Sequence, residues 1–516
     1  MFTDYLDRGL AVNADGVCVT SADGTTALTY REVAALSHRI AAALQRDGIA
    51  DGATVAICSP NDVTALSCVI GILRAGATWV ALNPKSEAAE QAALLDVVAC
   101  DHLLYHASLA ERAAALLDRV PSIRGGIAFG GSAGETFEQW LAPAGTTVAR
   151  GPFDPDAVAM VMGTGGTTGR PKAVPITNRQ YLTMSLAFNA HLAEPAPPVY
   201  LLATPMTHAA GVSAWPVLAE GGTVVVHDGV RAQEIFASIE RHRVTRLFLP
   251  PTAIYALLSD PGVRTADFSS LRHFIYAAAP MSVDKLVEAM EVFGPVMTQT
   301  FGQAEAPMIC TCMTPREHAE ALADETKRRR LGSCGRPSYV AAVEIMDDDG
   351  RLLAAGERGE IVVRGDLVMG GYHGDPQATA ATRRPGGWHA TGDVGYRDGD
   401  GFVYIVDRKR DMIISGGFNV FPSDVERVIW GHPAVLDCAV IGVPDDKWGE
   451  AVTAVVELKD GGTVEGEELI ALCKAALGSV QAPKAVLFRE LPRSANGKVL
   501  KRVLRDEYWA GRARLV

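Results

Sequence analysis

Short apolar runs of strand length alternate with helical stretches over much of this chain. The runs fall at residues 54–58, 77–82, 200–203, 223–226, 246–249 and 273–277. Amphipathic helical patterns occupy residues 28–44 and 62–75. Because parallel strands need long crossover connections, usually helices, this order predicts a mostly parallel sheet flanked by helices. At 516 residues the chain is too long for one ordinary core, so at least two domains are expected.

The pattern changes near Tyr339. Short strands divided by Asp/Gly turns, at residues 343–346, 359–363 and 402–406, predict a β-rich subdomain that completes a large N-terminal α/β domain. After Asp411 the sequence predicts a small α+β unit, with strands at 437–443, 452–458 and 485–488 and a helix at 467–477. We place the boundary in the charged segment 407–411, which gives domains at residues 1–408 and 409–516.

Charge and composition exclude several classes of protein. The net charge of −12 argues against a nucleic-acid-binding surface. The sequence contains no run of eighteen apolar residues, so no membrane span is expected, and the acidic N-terminus does not resemble a signal peptide. The nine cysteines include no Cys-x-x-Cys pair, so neither zinc nor a disulfide framework is expected. These features favour a reducing cytoplasm, and none of them specifies an oligomeric state.

A segment rich in glycine and threonine directly follows the apolar run 157–162. Its candidate ligand-binding residues are Thr164, Gly165, Gly166, Thr167, Thr168, Gly169 and Lys172. Glycine lets backbone N–H groups approach a ligand, threonine adds hydroxyls and lysine adds a positive charge, which together suit a polyphosphate. The spacing is not that of a Walker loop, since no lysine directly follows a glycine, nor of a Gly-x-Gly-x-x-Gly dinucleotide turn.

This segment resembles the phosphate-binding signature of the adenylate-forming (AMP-binding) superfamily, which includes acyl-CoA synthetases, aryl-CoA ligases, adenylation domains and luciferases. Further matches follow in the family's order along essentially the whole chain. The resemblance implies ATP and coenzyme A as co-substrates, Mg²⁺ as cofactor, and a small-molecule carboxylic acid as the group that is activated.

Three further motifs resemble the family's nucleotide site. In the segment 300–305, Phe301 corresponds to the ring that packs on adenine, and Glu305 to the magnesium ligand. Ala304 replaces the usual threonine, and Thr300 is a candidate to supply the hydroxyl contact near the α-phosphate that Ala304 lacks. Thr300 and Gly302 are therefore also candidate nucleotide-binding residues. In Thr391-Gly392-Asp393, the resemblance implies that Asp393 binds the ribose hydroxyls, and in the segment 407–411 that Arg408 holds the ribose.

The C-terminal motifs resemble the moving parts of the family. Arg410 falls at the family's hinge, where aspartate or lysine is usual. Ser415, Gly416 and Gly417 resemble the loop that lines the pantetheine channel, and Trp448 could stack on the CoA adenine or simply pack. Lys498 resembles the catalytic lysine that bridges the acid and the α-phosphate. The resemblance implies that the small domain rotates between the two half-reactions.

Two segments resemble the wall of the acid site. His208, in Pro205–Gly211, is a candidate to gate the acid pocket, although a buried structural histidine is a fair alternative. Ala277, Ala278 and Ala279 resemble the wall of small residues beside it.

The resemblance therefore implies an AMP-forming carboxylic acid–CoA ligase. The first alternative is an adenylating ligase that passes the acyl group to a carrier-protein thiol or to an amine. The second, from another class, is a non-catalytic nucleotide-binding protein. The residues do not distinguish a fatty acid from an aromatic or alicyclic one.

Overall fold

The structure is a computed structural model that describes residues 2–149, 151–164, 171–493 and 499–509. Its strands are β1 Val17–Ser21, β2 Ala27–Thr29, β3 Thr54–Cys58, β4 Thr78–Ala81, β5 His102–His106, β6 Gly125–Phe129, β7 Val158–Thr164, β8 Lys172–Thr177, β9 Val199–Leu202, β10 Thr223–Val226, β11 Arg246–Leu249, β12 His273–Tyr276, β13 Met297–Gln303, β14 Ala306–Met313, β15 Arg336–Pro337, β16 Ala342–Met346, β17 Gly359–Arg364, β18 Arg383–Arg384, β19 Trp388–Arg397, β20 Val403–Arg408, β21 Ile413–Ser415, β22 Phe418–Val420, β23 Val435–Asp445, β24 Gly449–Leu458 and β25 Ala485–Phe488.

Its helices are α1 Thr3–Asn13, α2 Tyr30–Arg46, α3 Val63–Arg74, α4 Ala88–Val97, α5 Ala110–Arg119, α6 Gly134–Trp140, α7 Asn178–His191, α8 Ala209–Val212, α9 Ala214–Ala219, α10 Ala232–His242, α11 Pro251–Ser259, α12 Val283–Phe293, α13 Pro315–Ala323, α14 Pro376–Thr382, α15 Pro422–Trp430, α16 Gly466–Leu477 and α17 Lys501–Trp509. Local sequence sets several helix starts. Thr29 and Glu32 form a capping box at α2, and the Asp62 side chain accepts two backbone N–H bonds at the start of α3.

Backbone contacts divide the chain into two units. The first comprises Met1–Val343, Val363–Arg383 and Gly387–His389, and the second comprises Glu344–Val362, Arg384–Gly386 and Ala390–Val516. The predicted boundary after Arg408 falls inside the second unit and stays a prediction.

Two sheets, both within the first unit, organise its described residues. One has six strands in the order β6-β5-β3-β4-β7-β8, all parallel except the β7–β8 pair. The other has nine strands in the order β15-β14-β13-β12-β11-β9-β10-β1-β2, parallel from β13 to β1 and antiparallel at both ends. The predicted mostly parallel α/β architecture is confirmed, and the predicted strands agree with β3, β4 and β9–β12.

The β-rich and C-terminal parts also match the prediction. A five-stranded sheet has the order β16-β17-β19-β18, with β20 paired to β19. Another has the order β22-β21-β24-β23, with β25 on β24, and packs on α15 and α16 through residues such as Val425, Ile429 and Leu469. Neither α15 nor α17 was among the elements predicted from the sequence.

Candidate functional site

The segment rich in glycine and threonine joins two strands that pair directly. Thr164 at the end of β7 lies opposite Lys172 at the start of β8, and the Thr164 hydroxyl donates to the Lys172 carbonyl at 3.5 Å. Residues 165–170, including the predicted ligands Gly165, Gly166, Thr167, Thr168 and Gly169, lie outside the described residues. Of the predicted loop, the structure therefore locates Thr164 and Lys172 only.

Thr300, Phe301 and Glu305 belong to a β-hairpin. Gln303 pairs with Ala306, so Ala304 and Glu305 form the turn between β13 and β14. Thr300 and Phe301 are buried, and the Thr300 hydroxyl has no hydrogen-bond partner among the described residues. A buried hydroxyl without a partner is costly, and a bound ligand that accepted its hydrogen bond would remove that cost.

Gly302 is required by the close approach of the two hairpin strands. A Cβ atom at this position would lie 2.5 Å from the Met308 backbone nitrogen and 2.8 Å from the Ala306 carbonyl oxygen. Any side chain would therefore separate β13 from β14 next to Phe301. The role of Gly302 seen here is to let the hairpin close.

Tyr372, which the sequence analysis did not single out, contacts two predicted site residues. Its hydroxyl donates to Glu305 Oε1 at 2.7 Å, and the Lys172 Nζ lies 4.7 Å from its ring centroid. Burial, and then the neighbouring Glu305 charge, raise the pKa of the Tyr372 phenol, so the hydroxyl keeps its proton and donates. No local sequence signal identifies this residue, because residues 172, 305 and 372 meet only in the fold.

The acid-site candidates lie at the carboxyl ends of parallel strands. Ala277, Ala278 and Ala279 follow β12, whose Tyr276 pairs with Gln299 next to Thr300, and the His208 segment follows β9. Ligands of open α/β sheets bind at this edge. Ala278 has φ of 73°, which is unfavourable for a residue with a side chain and is often found at functional sites.

His208 is uncharged at neutral pH. Burial lowers the pKa of its imidazole to about 4, and its Nδ1 lies 3.0 Å from the Thr207 hydroxyl. Asn61 fixes the preceding loop, because its amide donates to the Thr204 carbonyl at 2.9 Å and accepts from the Met206 N–H at 2.8 Å. A neutral, held side chain suits a wall or a gate of an acid pocket better than a cationic anchor.

Asp393 and Arg408 form an ion pair within the second unit. They lie opposite each other on β19 and β20, with Arg408 Nε 2.7 Å from Asp393 Oδ1. Asp393 is buried, and its backbone N–H donates to the Thr391 hydroxyl at 3.1 Å. The structure thus brings the two predicted ribose ligands together.

The predicted CoA-channel residues lie together in the second unit. Ser415, Gly416 and Gly417 run from the end of β21 into the turn before β22, and the Gly416 N–H donates to the Trp448 carbonyl at 2.7 Å. The Ser415 hydroxyl is buried without a hydrogen-bond partner among the described residues. Gly416 has φ of 59°, and a Cβ there would lie 2.9 Å from the Trp448 ring.

The hinge candidate, Arg410, is exposed beside the C-terminal helix. Arg505 on α17 forms an ion pair with Asp411 at 3.2 Å, and four residues earlier Lys501 binds the buried Glu426 at 2.6 Å. The predicted catalytic Lys498 lies outside the described residues. The helix α17, which begins three residues after Lys498, is held to the rest of the second unit by these two buried or half-buried ion pairs.

Glu305 is a suitable single protein ligand for magnesium. Mg²⁺ commonly takes one or two carboxylates together with substrate phosphates and water, and the Glu305 carboxylate has one oxygen held by Tyr372. The described residues contain no cluster of three or more His, Cys, Asp or Glu side chains that could hold a metal.

None of the helices of the described chain is long and apolar enough to cross a membrane.

Comparison with known proteins agrees with this arrangement. A family model described as AMP-binding enzyme matches residues 6–373, and one described as AMP-binding enzyme C-terminal domain matches residues 424–498. The chain is 37% identical to the medium/long-chain-fatty-acid–CoA ligase FadD8 of Mycobacterium tuberculosis, covering 96% of this chain and 88% of the relative. It is 36% identical to a feruloyl-CoA synthase of an Amycolatopsis species, covering 94% and 95%.

A solved structure shows the same fold. The amide bond synthetase McbA of Marinactinospora thermotolerans superposes with a TM-score of 0.87 at 32% identity, covering 98% of this chain and 100% of that one.

Proposed function

The chain belongs to the AMP-binding enzyme family, and on that premise we propose which of its residues carry the reaction. It is an AMP-forming acid–thiol ligase, which activates a carboxylic acid with ATP and transfers the acyl group to coenzyme A. The observation that carries the residue assignment is the contact of Tyr372 with both Lys172 and Glu305. Through this contact, β8, which follows the segment rich in glycine and threonine, is connected to Glu305, the proposed magnesium ligand.

In the first half-reaction, a carboxylate oxygen attacks the α-phosphorus of ATP and pyrophosphate leaves. Two anions must approach each other, so cationic and N–H donors must already be in place. We assign the β- and γ-phosphates to residues 164–169 and Lys172. Magnesium, when bound at Glu305, would neutralise phosphate charge. Lys498 would bridge the acid and the α-phosphate, as the family resemblance implies.

Asp393 and Arg408 would hold the ribose, and Phe301 would pack against adenine. A carboxylate can accept from two hydroxyls, and the Arg408 contact fixes the Asp393 carboxylate before the nucleotide binds. The buried Thr300 hydroxyl would donate to the nucleotide in place of the hydroxyl that Ala304 lacks.

In the second half-reaction, the CoA thiol attacks the acyl carbonyl and AMP leaves with the oxygen that came from the acid. We assign the passage of the pantetheine arm to Ser415, Gly416 and Gly417, with Trp448 beside it. Movement of residues 409–516 about Arg410 would exchange Lys498 for this segment, as the family resemblance implies.

The proposed acid is apolar, either aliphatic or aromatic. The relatives act, by their names, on medium- and long-chain fatty acids and on ferulate. In this chain the acid-site candidates Ala277, Ala278 and Ala279 are small, and His208 is neutral above about pH 4.

Transfer to an amine is a second candidate function. It is favoured by the likeness to the amide bond synthetase, which extends over nearly the full length of both chains. Mass spectrometry of the products from a panel of acids, with ATP and either CoA or a simple amine, tests both. Acyl-CoA with AMP supports the ligase, whereas an amide without a thioester supports the second candidate.

A further inference from the structure

The segment that carries Tyr372 bridges two parts of the proposed nucleotide site. On one side, the Met369 N–H donates to the Glu305 carbonyl at 2.8 Å. On the other, the His373 N–H donates to the Ala173 carbonyl, next to Lys172, at 2.9 Å. The backbone of residues 369–373 is thus bonded both to the β13–β14 turn and to β8.

The Tyr372 side chain makes the same connection with charged groups. Its hydroxyl meets a carboxylate oxygen of Glu305, and the face of its ring meets the ammonium group of Lys172. A ring face attracts a cation, and a phenol donates well to a carboxylate. Both contacts fix the direction of a charged side chain without neutralising it.

Tyr372 is itself held in place. Its backbone N–H donates to the Thr379 hydroxyl at 2.9 Å, and that hydroxyl donates to the Asp375 carbonyl at 2.8 Å. The ring therefore extends from a supported turn at the start of α14.

We propose that Tyr372 is a positioning residue that aims the Glu305 carboxylate at magnesium and the Lys172 ammonium at the polyphosphate. The inference rests on the proposed function of these two residues. Its two contacts are separable: the hydroxyl acts on Glu305 and hence on magnesium, and the ring acts on Lys172 and hence on the nucleotide itself.

Two substitutions separate the contacts. Tyr372→Phe keeps the ring and removes the hydrogen bond. The Mg²⁺ concentration that gives half-saturation should therefore rise about tenfold, as expected for loss of one charge-assisted hydrogen bond. Stabilisation by ATP in EDTA should stay as in the wild type. Tyr372→Leu removes both contacts, so the stabilisation by ATP in EDTA should fall as well.

The matched control is Tyr404→Phe. It also removes a phenol-to-carboxylate hydrogen bond, from Tyr404 to Asp398 Oδ2 at 3.0 Å, but one to a carboxylate outside the proposed site. In Tyr404→Phe, the Mg²⁺ concentration that gives half-saturation should equal that of the wild type. An equal shift in Tyr372→Phe and Tyr404→Phe, or no shift in Tyr372→Phe, would overturn the proposal.

The measurement is the melting temperature of each variant during a Mg²⁺ titration at fixed ATP, so it does not need an identified acid. A Glu305→Gln background supplies the second test: there the added effect of Tyr372→Phe on the Mg²⁺ titration should vanish. A full effect in that background would contradict the proposed route through Glu305. Failure of the proposed function would appear separately, as absence of ATP–pyrophosphate exchange in the wild type with every acid.

Discussion

Arg408 Nε lies 2.7 Å from Asp393 Oδ1, so the two predicted ribose ligands are already paired before any nucleotide binds. Asp393 is buried, whereas the Arg408 side chain is 38% exposed. Removal of the arginine would leave a buried carboxylate without that partner, and removal of the aspartate would release a long cationic side chain. The effects of the two substitutions should therefore not add.

Asp393→Ala should raise the KM for ATP by about tenfold or more, the change expected when charge-assisted hydrogen bonds are lost. Arg408→Ala should raise it less, and the double variant should resemble Asp393→Ala. Pyrophosphate exchange at varied ATP measures all three. An unchanged KM for ATP in Asp393→Ala would remove Asp393 from the ribose site.

Lys498→Ala should slow acyl-adenylate formation by about a hundredfold or more, as for removal of a charge that stabilises the transition state. Thioester formation from supplied acyl-adenylate should persist. Lys459→Ala is the control, since Lys459 is an exposed lysine of the same unit whose amine donates to the Pro433 carbonyl. Full exchange activity in Lys498→Ala would exclude the catalytic role.

The two glycines before β22 should respond differently to substitution. A Cβ at Gly416 would lie 2.9 Å from the Trp448 ring, whereas a Cβ at Gly417 would meet nothing within 4 Å in the described chain beyond its immediate neighbours, and both residues have positive φ. Gly417→Leu should spare adenylation and impair thioester formation. Both variants should lower the melting temperature because of their positive φ, and Gly416→Leu should lower it more because its side chain also meets the Trp448 ring. Separate assays of the two half-reactions check this, and equal loss of both in Gly417→Leu would contradict the channel.

Asn61→Ala should raise the KM for the acid by about tenfold, since three hydrogen bonds of its amide, to Thr204, Met206 and His227, are lost next to the His208 loop. The KM for ATP should change little. A parallel rise in both values would show that the loop supports the whole site and not the acid pocket.

His208 should make stability depend on pH in the acid range. Its pKa is about 4 in the fold and 6.5 ordinarily, so between these values the unfolded chain binds more protons. The free energy of unfolding therefore falls as pH is lowered from 6.5 towards 4, by at most about 1.4 kcal/mol per pH unit for one group. His208→Gln should reduce this slope in urea unfolding, and an unchanged slope would show that the imidazole is not desolvated.

Local patterns predicted most of the fold because strand and helix periodicities are local properties. They did not predict α17, whose buried residues are few: Leu504 is buried, and Lys501 is held by Glu426, which is remote in sequence. The contact of Glu305 with Tyr372 likewise joins residues that are 67 positions apart in the sequence.

Motif resemblance supplied the candidate site residues but not the contacts among them. Asp393 and Arg408 were each predicted to bind ribose, but their ion pair depends on the register of β19 and β20. A bulky residue at Gly416 would not test the channel role alone, because its Cβ would also meet the Trp448 ring, which only the fold places there.

The acid is activated as an acyl-adenylate, and its acyl group is then transferred to CoA. The most direct test of this route supplies an apolar carboxylic acid labelled with ¹⁸O in its carboxylate, together with ATP, Mg²⁺ and CoA, and locates the label by mass spectrometry. Acyl-CoA together with AMP that carries one ¹⁸O is the predicted result. Unlabelled AMP, or label in inorganic phosphate formed with ADP, would contradict it.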